Sequence, residues 1–323
     1  MIFYPFLETE YNSWMSFSDI NFWIVILVFL LFLIIITIET SMKLRVILIF
    51  IRLFYGMLFN NLVRFFLIYE IVFVLIMFSL IILGYSYERL IAGFLIIFYS
   101  FLFSRPTLII LIIFDFNFLI KRWVSYSSLL IYFFVGSFIV KFPIFGVHYW
   151  LPVAHVEAST IGSIILAGLL LKLGRIGMFY IVVYMNFIVK LHWLALAVCL
   201  VMLMTLIIRD LKIIIAYSSV AHITIIFYIL TLGTLIGKKG VLLIIFYHGF
   251  ISPLMFWVVG ILGWWKTRSL IVLKFIVFSS VFIYLLFVLF IINIRFPPFI
   301  GFLREIFILK SLILYYYIIL LIL

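Results

Sequence analysis

Residues 160–184 read TIGSIILAGLLLKLGRIGMFYIVVY, an apolar run with one lysine, Lys172, in its middle. At about 1.5 Å per residue such a run outreaches the roughly 30 Å hydrocarbon core of a bilayer, which predicts a membrane-spanning helix. Comparable runs lie on both sides of it, at 20–38, 62–84, 89–115, 128–149, 190–208, 211–233, 240–264, 271–292 and 297–322. Residues 44–60 are an eleventh candidate. Their Arg45 and Arg52 stand seven apart on one helix face, a pattern that suits a tilted or interfacial segment. The breaks carry charges and loop residues: Tyr85 to Arg89, Asn117 to Ser128, Leu151 to Thr160, Gly237 to Gly240 and Trp264 to Ser269. The expected fold class is all-α, a polytopic transmembrane helix bundle of about ten or eleven spans with proline-broken helices. Residues 1–323 are expected to form a single transmembrane domain.

The composition agrees with that reading. Of 323 residues 70% are hydrophobic and 10% charged, and 40 Phe, 19 Tyr and 8 Trp supply the aromatics. Soluble domains are nearer a quarter charged. The 22 Lys and Arg against 10 Asp and Glu give a net charge of +12. In a soluble protein that excess would suggest nucleic acid; here it predicts basic loops against an anionic membrane surface and no nucleic-acid partner. Cys199 is the sole cysteine, which excludes a disulfide framework and a four-thiolate iron–sulfur cluster on this chain. There is no GxGxxG or GxxxxGK[ST], so redox and nucleotide chemistry are expected in partners. The first residues, MIFYPFLETEYNSWMSFSD, hold Glu8, Glu10 and Asp19 but no Lys or Arg, unlike a secretory or transit peptide. Insertion from within the compartment of synthesis is the expectation. The bias toward Phe, Ile, Leu and Tyr is that of an AT-rich coding genome, as organellar genomes often are.

Four ionisable residues lie inside apolar spans: Glu70 in LIYEIVFVLIMF, Lys141 in SFIVKFPIFG, Lys172 in LAGLLLKLG and Glu305 in PPFIGFLREIFIL. Unpaired, four such charges would cost on the order of 10 kcal/mol on insertion scales, so they need either partners or a function. Structural ion pairs are the plain alternative. Lys141 and Lys172 stand about eight and twelve residues from the span ends, roughly 12 and 18 Å, too deep to reach an edge readily. They fall on consecutive spans and can share one layer near mid-membrane. Ser137 and Gly168, one turn before each lysine, leave room for water. Pro143, Pro253, Pro297 and Pro298 are expected to free backbone carbonyls beside that layer. His222 and His248 are internal, with Ser218 and Ser219 on the face of the first and Ser252 one turn after the second, and an imidazole can both accept and donate a proton. His148, His155 and His192 lie near span ends and read as interface or loop residues. None of the five histidines has metal-ligand spacing.

These residues fit a known pattern. The run KFPIFGVHYWLPVAHVEASTIGSIILAGLLLKLG, Lys141 to Gly174, resembles the signature of subunit 4 of proton-pumping NADH:ubiquinone oxidoreductase, respiratory complex I. DLKIIIAYSSVAHI (Asp210 to Ile223), YHGFISPLMFW (Tyr247 to Trp257) and PP…E (Pro297 to Glu305) resemble the same subunit in the same order. The family is similar to Mrp-type cation/proton antiporter subunits and to complex I subunits 2 and 5. The AHVEA segment, and Glu305 where subunits 2 and 5 usually carry lysine, favour subunit 4.

The resemblance implies a proton relay. Glu70 and Lys141 match a switchable ion pair, Lys172 the central proton-carrying lysine, His222 and His248 the connecting histidines, and Glu305 the terminal glutamate. It also implies FMN, iron–sulfur clusters and ubiquinone in partner subunits, none on this chain. Subunits 2 and 5 and cardiolipin are the implied partners, and the mitochondrial inner membrane the implied location. Against the family pattern the chain is expected to be shortened at both ends, and Arg304 and Lys310 add cations near Glu305 that could neutralise it. A stand-alone cation/proton antiporter and a structural membrane subunit with an inactive relay are the alternatives.

Overall fold

The computed structural model describes residues 26, 62–83, 89–113, 128–185, 192–263, 280–294, 296–297 and 300–322. In chain order the helices are α1 Leu62–Leu83, α2 Arg89–Ile113, α3 Ser128–Lys141, α4 Trp150–Glu157, α5 Thr160–Ile165, a π-helical segment π1 Leu166–Leu170, α6 Leu171–Met185, α7 Trp193–Ile207, α8 Leu211–Leu232, α9 Leu235–Gly263, α10 Ser280–Ile294 and α11 Ile300–Ile322. The fold is the expected all-α membrane bundle. Among the described residues four helical stretches are long and apolar enough to cross a membrane: Arg89–Ile109, Thr160–Phe179, Leu211–Leu232 and Leu235–Ile261. The expected spans at 20–38 and 44–60 lie outside the described residues, Ile26 aside, as does 271–279. By compactness residues 1–72 form one unit and residues 73–323 a second, and the division falls inside α1.

Within the second unit α8 and α9 form the centre. The helix α9 packs against α5, π1, α8, α10 and α11, while α8 also packs against α4 and α7. An amphipathic division that would be polar-out in water is here apolar on both sides, as a lipid-facing helix requires. On α7, Leu194, Ala197 and Val201 are buried, whereas Leu196, Leu200, Leu203 and Ile207 are exposed. Such outward rows have no polar face because the surrounding medium is hydrocarbon.

Three boundaries differ from the sequence reading. The span expected at 128–149 is helical only to Lys141, and residues 142–149 form turns, with Gly146 at φ 101. Pro143 explains this, because a proline disfavours helical geometry in the residue before it. The break expected at Gly237 to Gly240 is helical. The chain turns instead at Gly233, whose φ of 72 places it in the left-handed region that ends α8, and Thr234 Oγ1 then accepts from Gly237 N at 3.3 Å to start α9. Third, Pro253 lies inside a helix that runs on past it. The irregularity in the centre is π1, which begins seven residues after Ser159; that serine caps α5 by accepting from Gly162 N at 3.2 Å.

Candidate functional site

The polar centre begins at π1. A π-helical turn displaces carbonyls from the α-helical ladder and is frequent at functional sites. Here Lys172, the second residue of α6, turns its Nζ back to donate to Ala167 O at 2.6 Å. The same ammonium donates to Ser252 Oγ at 3.0 Å and lies 3.2 Å from His248 Nδ1, both on α9. An ammonium has three donors, and three acceptors surround this one. That arrangement is how Lys172 can be only 2% exposed in an apolar bundle. Ser252 in turn donates to His248 O at 2.7 Å.

The row continues from His248. Its ring meets that of His222, on α8, edge to face, with centroids 5.2 Å apart and planes at 78°. His222 Nε2 lies 3.3 Å from Asn293 Oδ1 on α10, and Asn293 Nδ2 donates to Ser218 Oγ at 3.4 Å. An amide oxygen only accepts, so a neutral His222 in this contact carries its proton on Nε2 and leaves Nδ1 as an acceptor. Four helical elements therefore meet in one polar chain, from Lys172 through His248 and His222 to Asn293.

Of the six residues picked from the sequence, the structure brings Lys172, His222 and His248 together. Lys141 is 1% exposed, and its Nζ lies 5.6 Å from the Phe73 ring centroid. It is the last residue of α3, which packs against α6, rather than lying eight residues inside a helix. Trp150 Nε1 donates to Val140 O at 3.0 Å and pins that helix end, while Trp150 meets the Phe73 ring edge-on. Glu70 is half-buried on α1 and belongs to the unit of residues 1–72. Glu305 is half-buried on α11, with Lys310 exposed beyond it; the side chain of Arg304 lies outside the described ones.

Several polar groups went unread in the sequence. Asn293 is the clearest, a lone amide in FIINIRF, and an isolated amide in an apolar helix is a signal in itself. Arg175, three residues after Lys172, is fully buried, and Arg105 on α2 is exposed with its guanidinium carbon 3.5 Å from the Phe101 ring centroid. His155, read as an interface or loop residue, is instead fully buried on α4 and stacks on Phe256, with centroids 4.4 Å apart and planes at 9°. A short apolar helix folded into the bundle, not a surface loop, is what WLPVAHVE forms. His148 does sit in the turns before α4, stacked between Phe145 and Tyr149, where burial lowers its imidazole from the ordinary histidine value. His192 is exposed, 3.4 Å from Tyr228 Oη. Among the described residues no group of histidine, cysteine and carboxylate side chains could hold a metal ion.

The sequence and the fold also tie this chain to others. Residues 59–323 match the NADH:quinone oxidoreductase/Mrp antiporter transmembrane family. The chain belongs to this family. It is 35% identical to the NADH-ubiquinone oxidoreductase chain 4 of Ascaris suum over 249 residues, 71% of this chain and 58% of that one. To the chain 4 of Ceratitis capitata it is 34% identical over 270 residues, 78% of this chain and 60% of that one. It thus spans about six-tenths of the length of these curated relatives. Two solved structures share the fold. The Mrp complex from Dietzia sp. DQ12-45-1b gives a TM-score of 0.71 at 17% identity over 85% of this chain and 55% of that chain. Respiratory complex I from Thermus thermophilus with bound NADH gives 0.70 at 18% identity, covering 91% and 67%.

Proposed function

We propose that this family member is a proton-translocating membrane subunit of a respiratory NADH:ubiquinone oxidoreductase. The observation that carries the reading is the Lys172–His248–His222–Asn293 chain, a connected set of proton donors and acceptors in the apolar interior of the bundle. Lys172 can hand a proton to His248 Nδ1, and the imidazole can release one from Nε2 toward His222, each step between groups that both donate and accept. Such a path conducts without a redox group. Electron transfer, through FMN, iron–sulfur clusters and ubiquinone, belongs to partner subunits in this proposal. Moving one proton against a membrane potential costs about 2.3 kcal/mol per 100 mV, an amount a single gained or lost ion pair at a buried lysine can supply.

The sequence resemblance extends the relay at both ends. Glu70 and Lys141 are proposed as the pair that sets the charge state of the central lysine, and Glu305 as the terminal carboxylate. Subunits 2 and 5 and cardiolipin are the proposed partners, and the inner mitochondrial membrane, with the chain encoded in the organelle, the proposed setting. The curated relatives from animals support that setting by their name, NADH-ubiquinone oxidoreductase chain 4.

The test is Lys172→Ala in the native assembly, scored by mass spectrometry of the band on a native gel and by protons taken up per NADH oxidised in sealed vesicles. A fully assembled complex with a lowered proton-to-electron ratio is the expected result, and an unchanged ratio refutes the relay. A second reading has an observation of its own, the TM-score of 0.71 to the Mrp complex. Cation/proton exchange in vesicles without any electron donor, from a small assembly lacking NADH dehydrogenase activity, would favour it.

A further inference from the structure

On α9 the residues His248, Ser252, Phe256 and Gly260 recur every fourth position and so share one face. His248 and Ser252 take Lys172, Phe256 takes the ring of His155, and Gly260 lies against Thr160 at the start of α5. Phe256, on which His155 stacks, stands one helical turn, about 6 Å along α9, beyond Ser252. In the other direction from His155 lies an end of the bundle. There Lys212, in the first turn of α8, donates to Ala158 O at 3.0 Å and reaches Val156 O at 3.5 Å, closing the last carbonyls of α4. Glu157, the last residue of α4, is also buried.

His155 has a further property that stacking alone does not explain. Its side chain is fully buried, and neither Nδ1 nor Nε2 has a hydrogen-bond partner among the described residues. A buried polar atom left unsatisfied is destabilising, and a phenyl ring would stack on Phe256 equally well without that cost. Buried polar atoms of this kind are where structural water binds, and such water bridges polar groups too far apart to bond directly. We propose that His155, bridged by water, carries protons between Lys172 and the membrane face at which Lys212 and Glu157 lie. The inference rests on the relay reading above. In one passage the imidazole accepts a proton at one ring nitrogen and gives up the proton on the other.

The test compares His155→Phe, His155→Gln and Lys172→Ala in the assembled complex, scored by native-gel assembly, NADH oxidation and protons per NADH. His155→Phe keeps the stack and removes the proton sites; His155→Gln keeps hydrogen bonding but cannot accept and release a proton. Both are expected to assemble and oxidise NADH, with the proton-to-electron ratio down to the value Lys172→Ala gives. If Lys172→Ala lowers the ratio and either histidine variant retains it, His155 is not on the path. Lower assembly or NADH oxidation with an unchanged ratio per electron means a packing role and overturns the proposal as well. If Lys172→Ala itself leaves the ratio unchanged, the relay reading fails, and this inference with it.

Discussion

Nζ of Lys172 lies 3.0 Å from Ser252 Oγ and 3.2 Å from His248 Nδ1, so one ammonium group holds two residues a single turn apart on α9. Ser252 is the weaker acceptor chemically but completes the set of three. Replacing it by alanine leaves one N–H of a buried ammonium unsatisfied, a loss of about 1–3 kcal/mol that falls on the charged form of the lysine. Ser252→Ala is expected to assemble and pump several-fold less at a given NADH oxidation rate, and Ser252→Thr, which keeps the hydroxyl, to behave as the parent. Dye-monitored proton uptake in vesicles decides it. Equal pumping by the alanine and threonine variants would mean that the hydroxyl is irrelevant to the proton.

Asn293 gives a second handle on the same chain. Its Oδ1 fixes which nitrogen of His222 carries the proton, and its Nδ2 is held by Ser218 Oγ at 3.4 Å. Asn293→Leu has similar volume and removes both contacts, so the tautomer of His222 is no longer set. Pumping per NADH is expected to fall at least as far as in Ser252→Ala, with Ser218→Ala milder because it disturbs only the amide. A normal proton-to-electron ratio in the leucine variant would take Asn293 off the path.

How much of this was legible in advance follows from what kind of signal each residue leaves. Lys172, His222 and His248 stand out because a titratable group in a long apolar run is costly, and cost is visible in one dimension. Asn293 leaves the same kind of signal at lower amplitude. The π turn leaves none: IILAGLLLK is as good an α-helix as the segments around it, and the contact at the bulge, Lys172 reaching back to Ala167 O, is visible only in three dimensions. The start of α9 was placed late, at 240 rather than Leu235, because Gly237 and Gly240 suggest a break as strongly as Gly233 does. Only the left-handed φ of Gly233 and the cap from Thr234 separate them. His155 was misread because Leu151 to Thr160 falls between two expected spans, and a break suggested exposure when WLPVAHVE is in fact a helix folded inward.

The approach of α9 to α5 depends on Gly260. A Cβ there would lie 2.5 Å from Thr160 Cγ2 and 3.0 Å from its Cβ, and Thr160 is β-branched at a helix start with little freedom to withdraw. Gly260→Ala is expected to destabilise the packing by about 1–3 kcal/mol. Less assembled complex after a heat step is the readout. Thr160→Ser removes the atom at 2.5 Å, so the double variant is expected to recover part of the loss. If the double variant is no better than Gly260→Ala, the clash is not the cause.

Lys141 offers the sharpest separation of charge from proton exchange. It is buried at the end of α3, 5.6 Å from the Phe73 ring, where any cation gains from the ring face. Arginine keeps a positive charge and can keep that contact, but its guanidinium does not release its proton in a protein. If Lys141 serves only as a fixed cation, Lys141→Arg supports pumping and Lys141→Ala does not. If it must cycle between charged and neutral, as the proposed relay requires, both variants assemble and both lose proton translocation. The proton-to-electron ratio of Lys141→Arg, measured beside that of the alanine variant in complexes matched for NADH oxidation, is expected to be as low as the alanine value. A parental ratio in the arginine variant would leave Lys141 a structural charge and remove it from the relay.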